Sequence, residues 1–241
     1  MNKKTFYSAF VATIPVMLGY LAIGIAFGLM LESIGYNFLW AGFMSTIIYA
    51  GSMQYIAVDL LNRGAPLYEV AVMTLIVQSR HIVYGLSLLN KFNGMGLRKK
   101  YMIFSLTDET YALLSSTNVP LGVDKNSYYF TIAFLNQIYW ITGGIIGSLA
   151  GSLITFDITG IDFAMTALFI VIALEQWLTS PTHIPALMGF AAATISLLIF
   201  KADNMLIPSM IIIITLLLIF NEKIDTRFEG AAKGDKIENP V

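Results

Sequence analysis

The sequence predicts an all-α fold: a polytopic membrane helix bundle of about six to seven transmembrane helices, with re-entrant segments and an inverted repeat. Three observations predict it. Of 241 residues, 57% are hydrophobic and only 12% charged, whereas roughly a quarter of a soluble domain is charged. Apolar segments recur at 9–31, 38–61, 66–90, 128–154, 161–180, 184–200 and 205–220. Each approaches the ~20 residues a helix needs to cross ~30 Å of hydrocarbon. No polar linker interrupts the series, so residues 1–220 read as one transmembrane domain. Residues 221–241 read as a short charged tail, expected to be disordered.

The elements follow in order. Met1-Asn2-Lys3-Lys4 precedes the first segment as a short basic tail. Segment 9–31 carries Pro15, Gly19, Gly24 and Gly28. It is too long for the core of a signal peptide, and no small-residue cleavage site follows it. Gly24 and Gly28 form a small-xxx-small pair that lets helix backbones approach closely. Segment 38–61 is interrupted at Tyr49-Ala50-Gly51-Ser52-Met53-Gln54-Tyr55. Gly51 loosens the helix there, and Gln54 offers an amide donor and acceptor. A broken helix at mid-depth exposes backbone groups able to bind an ion or a carboxylate, while a Gln that merely bonds a neighbouring helix is the plainer reading.

Segment 66–90 holds Gln78-Ser79-Arg80-His81 deep inside an apolar run. An intramembrane arginine costs roughly 2.5–3.5 kcal/mol, so Arg80 requires a cavity or a partner acid. Asp108 and Glu109, in the weaker stretch 101–117, are the nearest acids downstream. That stretch reads as a span, a re-entrant piece or a surface helix. Between the two lies a loop with Lys91, Arg98, Lys99 and Lys100. Segment 128–154 repeats the small-residue row at Gly143, Gly147 and Gly151, expected to pack helices. Segment 161–180 ends at Glu175-Gln176-Trp177, an interfacial acid beside a belt tryptophan. His183 falls in a short Pro-flanked loop.

The halves match weakly. A shift of 124 lays Ala9-Phe10 on Ala133-Phe134 and Gly19 on Gly143; a shift of 122 lays Gln54-Tyr55 on Gln176-Trp177. Cationic loops prefer the cytoplasm. If 38–61 and 161–180 dip in and return while 101–117 crosses, all the basic clusters become cytoplasmic and the repeats are inverted. If both cross fully, the clusters cannot all lie inside.

Composition also excludes classes. A net charge of −1 leaves no basic face for nucleic acid. No cysteine and two histidines argue against a metal site, and no cofactor is expected. No HExxH, GxSxG or Walker A pattern occurs, so the reading is not an enzyme. The alternative is an intramembrane enzyme, or a structural subunit, using His81 with Asp108.

Four motifs together carry a resemblance. They are Pro15-Val16-Met17-Leu18-Gly19-Tyr20 with Gly24-Ile25-Ala26-Phe27-Gly28; Tyr49-Ala50-Gly51-Ser52-Met53-Gln54; Arg80-His81-Ile82-Val83-Tyr84-Gly85; and Leu106-Thr107-Asp108-Glu109-Thr110-Tyr111-Ala112-Leu113. Over residues 5–220 the chain resembles the AzlC family, the large subunit of a bacterial branched-chain amino acid exporter. Gln78 departs from the asparagine of that pattern. The resemblance implies a small AzlD-type membrane partner and export of valine, leucine, isoleucine or their relatives across the plasma membrane. An amino acid needs both its charges satisfied in a low-dielectric site. Arg80, or the helix start near Gly51, suits the carboxylate; Asp108 or Glu109 suits the ammonium. Gln54 and His81 complete the candidate substrate-binding set, with His81 also able to relay a proton.

Overall fold

A computed structural model describes residues 3–153, 162–179 and 182–219. These are α1 (Lys3–Ser33), α2 (Phe38–Ile47), α3 (Gly51–Asn62), α4 (Leu67–Leu88), α5 (Arg98–Phe104), α6 (Asp108–Ser116), α7 (Lys125–Leu153), α8 (Asp162–Thr179), α9 (Ile184–Asn204) and α10 (Leu206–Ile219). All described regular structure is helical, as bilayer chemistry demands of backbone amides that have no water to bond. Among the described residues, four helices are long and apolar enough to cross a membrane: α1, α4, α7 and the stretch Ile184–Lys201 of α9. The chain divides into two compact units, Met1–Phe169 and Ile170–Val241. The tail 221–241 lies outside the described residues, as do the side chains of Glu175 and Gln176.

In the first unit α1 and α7 pack along their length and run in the same direction. Thr13 meets Tyr139, Gly24 meets Gly143, and Glu32 meets Ser148. Glycine makes this contact so close. A Cβ at Gly28 would stand 2.1 Å from the Gly144 carbonyl oxygen, and one at Gly147 would stand 2.0 Å from that of Ile25. Gly24 and Gly143 are gentler, their built Cβ atoms 3.0–3.3 Å from facing backbone. Phe27, Leu31, Tyr55, Ile132 and Trp140 fill the core around this seam.

Segments 38–61 and 101–117 each break in two. Asn37 caps α2 by accepting from Leu39 N at 3.1 Å. The helix then ends before Tyr49, which takes φ 41°, and Ala50 is extended before α3 begins. A positive φ at an aromatic residue is strained and must be held by its surroundings. In the other segment α5 stops at Phe104, and Thr107 caps α6 by accepting from Thr110 N at 3.2 Å. With Asp108 and Glu109 the first turn of α6 is acidic, which suits the positive end of a helix.

Both broken segments are hairpins that return to the end they left. The tail of α6 comes back to the basic loop, where Lys91 Nζ donates to Leu114 O at 2.9 Å and Ser115 O at 3.2 Å. Lys4 Nζ reaches Leu121 O at the same end. The α2–α3 hairpin starts beside the far end of α1 and returns to α4, where Arg63 pairs with Asp59 and Glu69. The two tips meet inside, with the rings of Tyr49 and Phe104 6.4 Å apart. This corrects one expectation. The inverted arrangement required 101–117 to cross, but the stretch turns back. In consequence α1 and α7, the pair matched by the repeat, are parallel rather than opposed.

In the second unit α9 packs against α10, and Lys201 leaves helical geometry at φ 61°. His183 stacks on Trp177 with ring centroids 4.0 Å apart.

Candidate functional site

The two hairpin tips and the middle of α4 build one polar junction. Arg80 projects from α4 between the first turns of α3 and α6. Its Nη1 lies 2.7 Å from Asp108 Oδ2, and its Nη2 donates to Ser52 Oγ at 2.8 Å. One guanidinium thus ties two helix N-termini together. Asp108 neutralises it, and both side chains keep some exposure, 22% and 29%. The arrangement leaves valence unused. Arg80 Nε, Asp108 Oδ1, Gln78 Oε1 and His81 Nδ1 are buried with no hydrogen-bond partner. Buried polar atoms are nearly always paired, so the unpaired Arg80 Nε and Asp108 Oδ1 at this one contact mark a place built for something else. Ala50 supplies no side-chain cap to α3. A helix start without a side-chain cap favours an anion.

Next to this junction lies a second polar group. Glu109, the residue after Asp108, turns to α1 instead of α4: Tyr20 Oη donates to its Oε2 at 2.7 Å. The Tyr20 hydroxyl also bonds the hydroxyl of Thr107. Thr107 and Thr110 hydroxyls lie 3.0 Å apart, and Asn136 Nδ2 donates to Thr110 Oγ1 at 3.0 Å. Tyr20, Thr107, Thr110 and Asn136 are all buried.

The remaining expected residues fall elsewhere. Gln54 is fully buried and does structural work: its Oε1 accepts from Trp140 Nε1 at 2.8 Å and Ala50 N at 3.3 Å, and its Nε2 donates to Ser45 Oγ. It holds the α2–α3 break against α7. Gly51 lies under Trp140, where a Cβ would meet the ring at 3.2 Å. His81 stands edge-on to Tyr84, which stacks on Tyr111 with centroids 4.5 Å apart. Gly24, Gly28, Gly143 and Gly147 lie on the α1–α7 seam, away from the junction. Among the described residues no group of three or more potential metal ligands gathers.

Sequence reasoning missed Ser52, Tyr20, Thr107, Thr110, Asn136 and Trp140. For Thr107 a signal existed: a threonine ahead of two acids is a helix start. Reading 101–117 as one element hid it. The others left no signal, because their partners across the bundle sit 26 to 89 positions away.

Comparison with known proteins gives the family of the chain. The family model described as AzlC protein matches residues 15–154, which carry α2–α6, all but the start of α1, α7, and both polar groups. The chain is 38% identical over 230 residues to the branched-chain amino acid transport protein AzlC of Bacillus subtilis (strain 168), covering 93% of this chain and 91% of the relative. It is 39% identical over 222 residues to an uncharacterized membrane protein of Helicobacter pylori (strain J99), covering 92% and 97%. It is also 29% identical over 154 residues to the inner membrane protein YgaZ of Escherichia coli (strain K12), covering 63% of each. No solved structure matches.

Proposed function

This chain belongs to the AzlC family, and we propose that it exports branched-chain or similar small apolar amino acids across the plasma membrane, together with a small AzlD-type subunit. The observation that carries the reading is the Arg80–Asp108 junction at two meeting helix N-termini, with orphaned Arg80 Nε and Asp108 Oδ1. A zwitterion presents one anion and one cation about a single carbon. Arg80 Nε and the free N–H groups of α3 suit its carboxylate; Asp108 Oδ1 suits its ammonium. The stacked Tyr84 and Tyr111 beside them offer a surface for an apolar side chain. Broken helices whose tips meet inside a bundle are the way transporters place such sites near mid-membrane.

Orientation follows from charge. Lys4 and Lys91 lie at the hairpin-return end of α6, and the first turn of α5, with Arg98, Lys99 and Lys100, follows the same basic loop. We assign that end to the cytoplasm. A cysteine at Asn93 should resist impermeant thiol reagents in intact cells, and ready labelling from outside would reverse the assignment.

The direct test is transport. Purified protein in lipid vesicles, with and without the small subunit, should move leucine, isoleucine or valine down an imposed gradient. Absence of any amino acid flux in both preparations would sink the proposal.

A further inference from the structure

We infer that Glu109 is the proton-binding residue of this transporter, and that Tyr20, Thr107, Thr110 and Asn136 form a relay reporting its protonation to α7. The inference rests on the transport reading above but names a separate device. Two adjacent acids at the start of α6 have opposite kinds of partner. Asp108 meets a guanidinium, which is always charged. Glu109 meets the Tyr20 hydroxyl at 2.7 Å. A hydroxyl serves both forms of a carboxyl group, donating to the carboxylate and accepting from the acid.

Counting hydrogens along the hydroxyl chain gives two opposite orders, one for each form of Glu109. In the structure the Thr107 hydroxyl donates to Thr110, the order that belongs to the protonated form; with Glu109 ionised, Tyr20 donates to Glu109, Thr107 turns to Tyr20, Thr110 turns to Thr107, and the Asn136 amide donates to Thr110. With Glu109 protonated, Glu109 donates to Tyr20, Tyr20 to Thr107, and Thr107 to Thr110. The hydrogen of Thr110 then needs a new acceptor. Two acceptors adjoin it: Tyr49 Oη, and Asn136 Oδ1, which is fully buried, has no partner, and belongs to the amide whose nitrogen already touches Thr110. Turning this amide completes the reversed chain. Thr107 still accepts from Thr110 N in both states, so the α6 cap survives the switch.

One proton on α6 is thereby converted into a reoriented amide on α7, beside Gln137 and a few residues before Trp140, which hold Thr46 and Gln54 of the α2–α3 hairpin. The charged and titratable groups facing Glu109 and its relay are Arg80 from α4, Asp108 from α6, Tyr20 from α1 and Tyr49 from the α2–α3 break. Tyr49 Oη is buried beside the Thr110 and Tyr20 hydroxyls.

The test uses the full-length protein in lipid vesicles. A pH-difference infrared spectrum should show a carboxyl C=O band growing as pH falls, together with a side-chain amide change. The component of that band, and the amide change, that belong to Glu109 should be missing in Glu109→Gln, read as the difference between the two proteins' spectra. In Tyr20→Phe the carboxyl band should move and the amide change should disappear, because the relay is cut at its first link. In the same vesicles the pH dependence of amino acid flux should flatten in Glu109→Gln and return, displaced, in Glu109→Asp. An undiminished titrating band, or the wild-type pH profile, in Glu109→Gln overturns the inference. If wild-type vesicles carry no amino acid while the band behaves as expected, the transport reading fails and the proton site stands.

Discussion

The α1–α7 seam and the junction at Arg80 lie in the same unit and obey opposite rules. The seam is built by subtraction: glycines remove side chains until backbone meets backbone, and a Cβ at Gly28 or Gly147 would sit about 2 Å from a carbonyl oxygen. The junction is built by addition. Charged and hydroxyl groups from the middle of α4 and the first turns of α3 and α6 are brought together, then left partly unpaired. Lipid supplies no hydrophobic force between helices, so tight van der Waals contact holds the bundle. A rigid seam can carry the cost of a polar centre that, alone, would be unstable. The contrast separates what keeps the protein together from what it works with.

The comparison breaks first at the seam. Gly28→Ala and Gly147→Ala each push a methyl group into facing backbone, which cannot rotate aside as a side chain would. Folded yield in the membrane should collapse for both, a cost at or above the ~1–3 kcal/mol typical of overpacking. Gly19, with open space around it, should accept alanine with a change under about 0.5 kcal/mol. Equal tolerance at all three positions, measured by yield and thermal midpoint, would show that the seam is not the anchor.

The junction should respond next. Arg80→Ala or Asp108→Ala leaves its partner uncompensated, a loss of roughly 3–5 kcal/mol and of export. The double variant sharpens the distinction. Stability should recover, because no lone charge remains, while export stays absent if the pair holds substrate. A double variant that regains export would reduce the pair to a structural tie. Normal export from both single variants would remove the site altogether.

Two smaller effects lie on the border between the regions. Gln54→Leu strands Trp140 Nε1 and Ala50 N, and should cost about 1–3 kcal/mol for the buried donors. Because Gln54 braces the hairpin rather than touching the orphaned atoms, substrate affinity in the surviving folded fraction should stay near wild type. Ser52→Ala should cost only about 1 kcal/mol in stability, yet it frees Arg80 Nη2 and should alter apparent substrate affinity more than thermal stability. Reversed ranking in a binding assay would exchange the roles of these two residues.

Much of this was legible before any coordinates. Composition and segment length determine a helical membrane protein, because lipid admits few other folds for such a chain. The glycine spacing marks a packing face, since only close backbones need it. Arg80 within an apolar run demands an acid, and Asp108 in its own apolar stretch demands a cation, so each advertises the other. Tertiary structure alone decided the rest. That 101–117 turns back depends on Lys91 reaching the end of α6, a contact that no periodicity encodes. That Gln54 bonds Trp140, and that Glu109 faces Tyr20 while its neighbour faces Arg80, depends on helices far apart in sequence. A sequence lists the polar groups the membrane must have satisfied. Only the packed chain determines which partner satisfies each, and which atoms are left free to act.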